Sequence, residues 1–185
     1  MVRHLFGTDG VRGRAGDFLT AELALALART AASREGHERP QVLIVRDTRE
    51  SGEMLESAIA AGVTAAGGDA LLAGVLPTPA APLLVRRHGL HMAAVISASH
   101  NPYEDNGIKL FAADGFKLDD DTEHEIEAAL EQPIPRPRRI GGVNRLHGAL
   151  EDYLRALHTR FSELHLDGLR VLLDCANGAT YRPAP

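Results

Sequence analysis

The stretch that most constrains the fold is Ala93-Ala94-Val95-Ile96, an apolar run that stops abruptly at Ser97-Ala98-Ser99-His100-Asn101-Pro102 and continues through Tyr103-Glu104-Asp105-Asn106-Gly107-Ile108-Lys109. Such a run predicts a buried strand, His91 to Ile96, that empties into a loop with Ser99 at its carboxyl end. In open α/β sheets ligands bind at that end. Asn101 precedes Pro102 and is pushed out of the helical region, so the loop after Ser99 and His100 is expected to run extended. No glycine stands two residues to either side of Ser99, which excludes the Gly-x-Ser-x-Gly elbow of a serine hydrolase.

Around this strand the chain alternates between buried-type strands and amphipathic helices. A short strand is expected at Arg3 to Phe6, followed by the glycine-rich loop Gly7 to Gly16, in which Arg12 and Arg14 supply donors for an anion. Thr20 reads as the N-cap of a helix to about Glu35. Gln41 to Val45 is a buried-type strand ending in the charged loop Arg46 to Gly52. Leu55, Ala58, Ile59, Gly62, Val63 and Ala66 then repeat at helical spacing up to Gly67-Gly68. Leu71 to Val75 is the next strand, and Thr78-Pro79 reads as cap and first turn of a short helix to Arg87. Gly107 to Ala112 is expected to be a strand, Asp114-Gly115 a turn, and Asp119 to Glu131 an acidic, solvated helix.

From Gln132 to Gly142 proline, arginine and glycine dominate, which predicts a linker or surface crossing. The helix Leu150 to Phe161 and the strand Leu169 to Asp174 follow. That strand would need neighbours on both edges, and the residues after it cannot supply them. The expectation is therefore an α/β chain: a layered α/β/α domain with a mixed, largely parallel sheet over residues 1–146. A connecting helix and the truncated start of a second, similar domain would occupy residues 147–185.

The 185 residues, 44% of them hydrophobic, suffice for one ordinary core, built from Ala, Leu, Val and Ile because aromatics are only 4%. A formal charge of −5 argues against nucleic-acid or membrane-surface partners. There is neither a long apolar run nor a signal-peptide core, and the single Cys175 can form no internal disulfide, so the expected location is the cytoplasm. No dense cluster of His, Cys and Asp has metal-ligand spacing.

The loops Asp9 to Arg12, Arg46 to Arg49 and Ser99 to Lys109 leave successive strand ends. If the sheet is parallel there they meet in one crevice, where Arg12, Arg46, Arg49 and Lys109 would suit an anionic substrate such as a sugar phosphate. Asp47 with Arg49 reads slightly more readily as a loop-stabilising ion pair, whereas Arg12 and Lys109 read as functional. His100 has even claims as a phosphate contact and as a loop-fixing residue. Lys109, if desolvated, can serve as acid or base.

Five motifs in order resemble the α-D-phosphohexomutase family, most closely its bacterial phosphoglucosamine mutase branch: Phe6 to Gly13, Asp47 to Gly52, Pro77-Thr78-Pro79, Ile96 to Lys109, and Asp174 to Ala179. The resemblance implies a four-domain isomerase that interconverts glucosamine 6-phosphate and glucosamine 1-phosphate through a phosphoserine and a bisphosphate, feeding cell-wall precursor synthesis. It assigns catalysis to Ser99 as phosphoserine with Lys109, His100 and Arg12, and substrate or phosphate binding to Arg49, Asn101 and Asp9. Ser97 would be a structural neighbour of Ser99. Mg²⁺ would be held partly by the phosphate on Ser99, with its other ligands beyond Pro185. The family's metal loop, sugar-selecting loop and last domain would also lie there, so this stretch alone is expected to be inactive. A homodimer is compatible with the resemblance. The alternatives are a phosphomannomutase or phosphoglucomutase, which would share the serine loop, and a non-catalytic phosphosugar-binding domain, which would not need the nucleophile.

Overall fold

The computed structural model describes residues 5–134 and 136–184. Arg3 and His4 of the expected first strand, and Pro135 of the expected linker, lie outside the described residues. The described elements are β1 (Val11–Arg14), α1 (Ala21–Arg34), β2 (Gln41–Arg46), α2 (Gly52–Ala65), β3 (Asp69–Val75), α3 (Ala80–Arg87), β4 (Met92–Ile96), β5 (Asp105–Ala112), α4 (Asp120–Ala129), β6 (Val143–Arg145) and α5 (Ala149–Arg160). A 3₁₀ turn at Ala179–Tyr181 follows.

The sheet has the order β1-β5-β4-β2-β3-β6 among the described residues. Its β4, β2, β3 and β6 are parallel, while β5 runs antiparallel to both β4 and β1. Buried β-branched strands with helices on both faces produce this layering, because successive side chains of a strand point to opposite faces. Val42, Ile44, Met92, Ala94 and Ile96 join Leu27, Leu55 and Ile59 of α1 and α2 in one core, with Ile126 of α4. Leu43, Val45, Ala93 and Val95 join Leu84 and Val85 of α3 and Ala149 and Tyr153 of α5 in the other. The expected α/β/α layers and mixed sheet are thus the observed ones.

Local chemistry accounts for several boundaries. Thr20 caps α1, its hydroxyl accepting from Leu23 N at 3.2 Å, and Asp119 caps α4 by accepting from Thr122 N at 2.7 Å. At α3 the cap position is Pro79 rather than Thr78, and no side chain caps it.

Three further expectations are corrected. Leu5 and Phe6 form no strand; the first strand is instead Val11–Arg14, inside the glycine-rich loop, where β5 offers it a ladder. Val143–Arg145, within the stretch between linker and helix that showed no strand pattern, forms β6 by pairing with Ala70 to Leu72 of β3. Leu169 to Asp174 is irregular and exposed, with Leu172 96% accessible. Despite its apolar pattern it has no neighbouring strand among the described residues, and an unpaired segment gains no ladder hydrogen bonds.

Candidate functional site

β4 ends at Ile96, and the chain turns at once. Asn101 N donates to Ala98 O at 3.1 Å, closing a turn with Ser99 at φ +57, in the left-handed region that non-glycine residues seldom adopt. The loop is therefore a tight turn at Ser99 and not the extended segment that Pro102 suggested. The change has a consequence for chemistry. Neighbouring side chains in an extended segment point apart, but here Ser99 Oγ lies 3.4 Å from His100 Nδ1, a long contact.

A group of hydrogen bonds supports the turn from β2. Ser97 Oγ donates to Asp47 Oδ2 at 2.7 Å and accepts from Ser99 N at 3.1 Å. Asp47 also accepts from Arg49 N at 3.0 Å and from Arg49 Nε at 3.1 Å, so the expected Asp47–Arg49 ion pair is present. The Arg49 guanidinium continues into the serine loop and donates to the carbonyls of Ser99, Asn101, Pro102 and Asp105. Behind it, Asn106 is fully buried, donating to Ser51 Oγ at 2.9 Å and accepting from Gly107 N at 2.8 Å.

A second cluster lies beside this one. Register places Val11 of β1 opposite Ile108 of β5, and Ile108 opposite Ile96 at the end of β4. Asp9 and Arg12 thereby arrive at the carboxyl end of β4 although β1 belongs to the sheet's edge. Gly10, at φ +87, allows the turn to press against β5; a Cβ there would sit 2.3 Å from Ile108 O. Asp9 pairs with Arg12 and, at 2.6 Å, with Lys109 Nζ. The Lys109 hydrogen bond, aided by the charges of Lys109 and Arg12, holds the Asp9 carboxyl below its ordinary range against a smaller opposing effect of burial. Asn101 joins the clusters, accepting from Arg12 Nη1 at 3.4 Å and donating to Asp105 at 3.0 Å.

Ser99, His100 and Asn101 open on a cleft of about 710 Å³, together with Asp47, Thr48, Arg49, Leu76 to Thr78 and Ala176 to Thr180. Arg12, Asp9 and Lys109 flank it and reach it through Asn101. Arg46 points away and pairs with Glu53 and Glu56. Sequence reasoning passed over Thr48, whose hydroxyl donates to Asn177 O, and Tyr103, an 80% exposed aromatic at the rim. A hydroxyl after the Asp47 position and an aromatic after the Asn-Pro pair were the available signals. No group of three His, Cys, Asp or Glu side chains is placed to hold a metal ion among the described residues. The carboxylates of this network, Asp47, Asp9 and Asp105, already have side-chain partners, so the residues described make no complete metal site by themselves.

Fold and site together define a layered α/β domain with a serine-lined cleft, flanked by cations, at the carboxyl ends of its parallel strands. Residues 3–135 match the family model described as phosphoglucomutase/phosphomannomutase, alpha/beta/alpha domain I, and the chain belongs to this family. It is 49% identical over 192 residues to the phosphoglucosamine mutase of Azorhizobium caulinodans, and 51% identical over 193 residues to that of Cereibacter sphaeroides. All of this chain is matched in both, yet it spans only 43% of each relative's length. A crystal structure of a phosphoglucomutase/phosphomannomutase family protein from Burkholderia thailandensis superposes with a TM-score of 0.73 at 25% identity, over 84% of this chain and 35% of that one.

Proposed function

We propose that this chain is the phosphoserine-bearing part of a phosphohexomutase that interconverts glucosamine 6-phosphate and glucosamine 1-phosphate. The observation that carries the reading is Ser99, held left-handed at the carboxyl end of β4 on the wall of the cleft, with Arg12 reaching Asn101 of the same loop and Asp9 linking Arg12 to Lys109. The relatives from Azorhizobium caulinodans and Cereibacter sphaeroides, both named phosphoglucosamine mutase, support the sugar. In this scheme the P–O bond of phospho-Ser99 breaks as a new P–O bond forms to the sugar's free hydroxyl, whose proton leaves to a base. Ser99 Oγ is protonated as it leaves; the bisphosphate turns over, and Ser99 Oγ gives up that proton as it takes the other phosphoryl, while the sugar oxygen freed by that P–O cleavage is protonated. Lys109 serves proton transfer, Arg12 and His100 steady the phosphoryl charge, and Asn101 and Asp9 complete the binding side.

Mg²⁺ would meet this chain only through a phosphate on Ser99, its other ligands coming from the portion of the relatives' length that this chain does not span. We place the protein in the cytoplasm, where phosphosugars are turned over; among the described residues no helix is long and apolar enough to cross a membrane. We further assign residues 1–146 to the first domain and 147–185 to a connecting helix and the start of the next.

The test is Ser99→Ala in the full-length protein. Turnover should fall by about a thousandfold or more, the scale on which an essential nucleophile acts, and phosphate on the serine peptide should vanish while phosphosugar binding remains. Turnover that survives the substitution would falsify the phosphoserine role. Binding without turnover in the unsubstituted protein would instead support a phosphosugar-binding domain.

A further inference from the structure

We propose that Arg49 is a positioning residue, fixing the Ser99 carbonyl and the loop after it while Ser97, on the same Asp47 carboxylate, holds the amide before it, so that the Ser99 hydroxyl faces the cleft, and that Arg49 does not ligate the substrate's phosphate. The inference deepens the reading of Ser99 as phosphoryl carrier and rests on it, and it replaces the binding role assigned to Arg49 with a mechanical one.

A guanidinium has five N–H groups in a planar fork. Arg49 Nε donates to Asp47 Oδ2 at 3.1 Å; Nη1 donates to Pro102 O at 2.5 Å and Asp105 O at 2.8 Å; Nη2 donates to Ser99 O and Asn101 O, both at 3.0 Å. Five donors meet five acceptors. A phosphate arriving at this side chain would have to displace carbonyls that the loop cannot satisfy elsewhere, and only 10% of the side chain is accessible.

What the carbonyls have in common is Ser99. Its own C=O is held by Arg49 Nη2, and its own N–H is held by Ser97 Oγ at 3.1 Å. Ser97 in turn donates to the same Asp47 oxygen that receives Arg49 Nε. The peptide groups before and after Ser99 are therefore tied to one carboxylate, Asp47, just past the end of β2, which fixes the torsions between them. A left-handed serine persists only where its surroundings over-determine it, and these ties do so. A lysine could not replace the arginine, since three donors on one nitrogen cannot span four separate carbonyls.

The test uses the full-length protein, its mutase turnover, and amide hydrogen exchange over residues 98–106. If the unsubstituted protein has neither turnover nor phosphate on Ser99, the phosphoserine reading itself fails, whatever Arg49 does. If it is active, Arg49→Lys should lower kcat about a hundredfold, the scale of a nucleophile misplaced by about 1 Å. KM for the phosphosugar should change by less than about threefold, and exchange of the 98–106 amides should rise while that of β2 and β4 stays as before. A KM raised about tenfold or more at unchanged kcat and unchanged exchange would overturn the proposal and make Arg49 a phosphate ligand. Unchanged kcat with faster exchange would overturn it too. Should Arg49→Lys fail to fold, Ser97→Ala cuts the other tie and must show the same pattern of lowered kcat, retained KM and faster loop exchange; retained kcat there refutes the positioning role.

Discussion

At the scale of single residues the site is a set of cations already supplied with partners. Asp9 occupies two of them, Arg12 and Lys109, and its carboxyl is held below the ordinary value of 3.8 chiefly by the Lys109 hydrogen bond. A carboxyl depressed in the folded state contributes stability above its unfolded pKa and loses it as pH falls through the folded value. Asp9→Asn should therefore unfold at a lower urea concentration than the parent at pH 7, with the two midpoints converging below about pH 3.8. The difference should be small, since half of the Asp9 side chain is accessible and solvent screens the pair. A gap that persists undiminished at pH 3 would show that the effect is packing and not charge. His100 teaches a different lesson at this scale: its proximity to Ser99 Oγ depends on one positive φ, which no reading of the neighbouring residue types reveals.

At the scale of elements the close contact of α1 with α2 decides how the first core is packed, and Gly62 of α2 lies directly against the α1 backbone. A Cβ there would lie 2.3 Å from Leu25 O and 2.9 Å from Arg29 N, both backbone atoms of α1 that cannot swing aside. Helix propensity alone would favour alanine by up to about 1 kcal/mol. Overpacking costs about 1–3 kcal/mol and should win. Gly62→Ala is thus expected to destabilise the domain, read as a lower urea midpoint with an unchanged slope; equal or greater stability would mean that the two helices part without penalty. The helical spacing of Leu55, Ile59, Gly62 and Val63 disclosed the buried face, but the identity of the opposing helix, and hence the reason for a glycine, comes only from the packing.

At the scale of the whole molecule, a layered body whose described residues form six strands leads into a segment that is exposed from Phe161 onward until Ala176 to Thr180 line the cleft. Arg170 lies in that irregular stretch, and backbone without ladder or helix bonds is open to proteases. Limited trypsin digestion of the 185-residue chain should cut at Arg170 before the arginines of β2 and α1, and leave the layered body's circular dichroism unchanged. First cleavage inside the body would contradict this picture. The sequence by itself determined the elements whose signals are local: α1 with its Thr20 cap, the amphipathic α2, the buried runs of β2 and β4, and Ser99 at a strand's end. Period, capping and turn chemistry act over a few residues, and they survive in any context. Only the tertiary structure decided that Val11–Arg14 and Val143–Arg145 are strands while Leu169 to Asp174 is not, and that Arg49 turns to loop carbonyls. A strand exists only where a neighbour completes its hydrogen bonds, and a guanidinium's partners are whatever the folded chain brings within reach, so neither is written in the residues nearby.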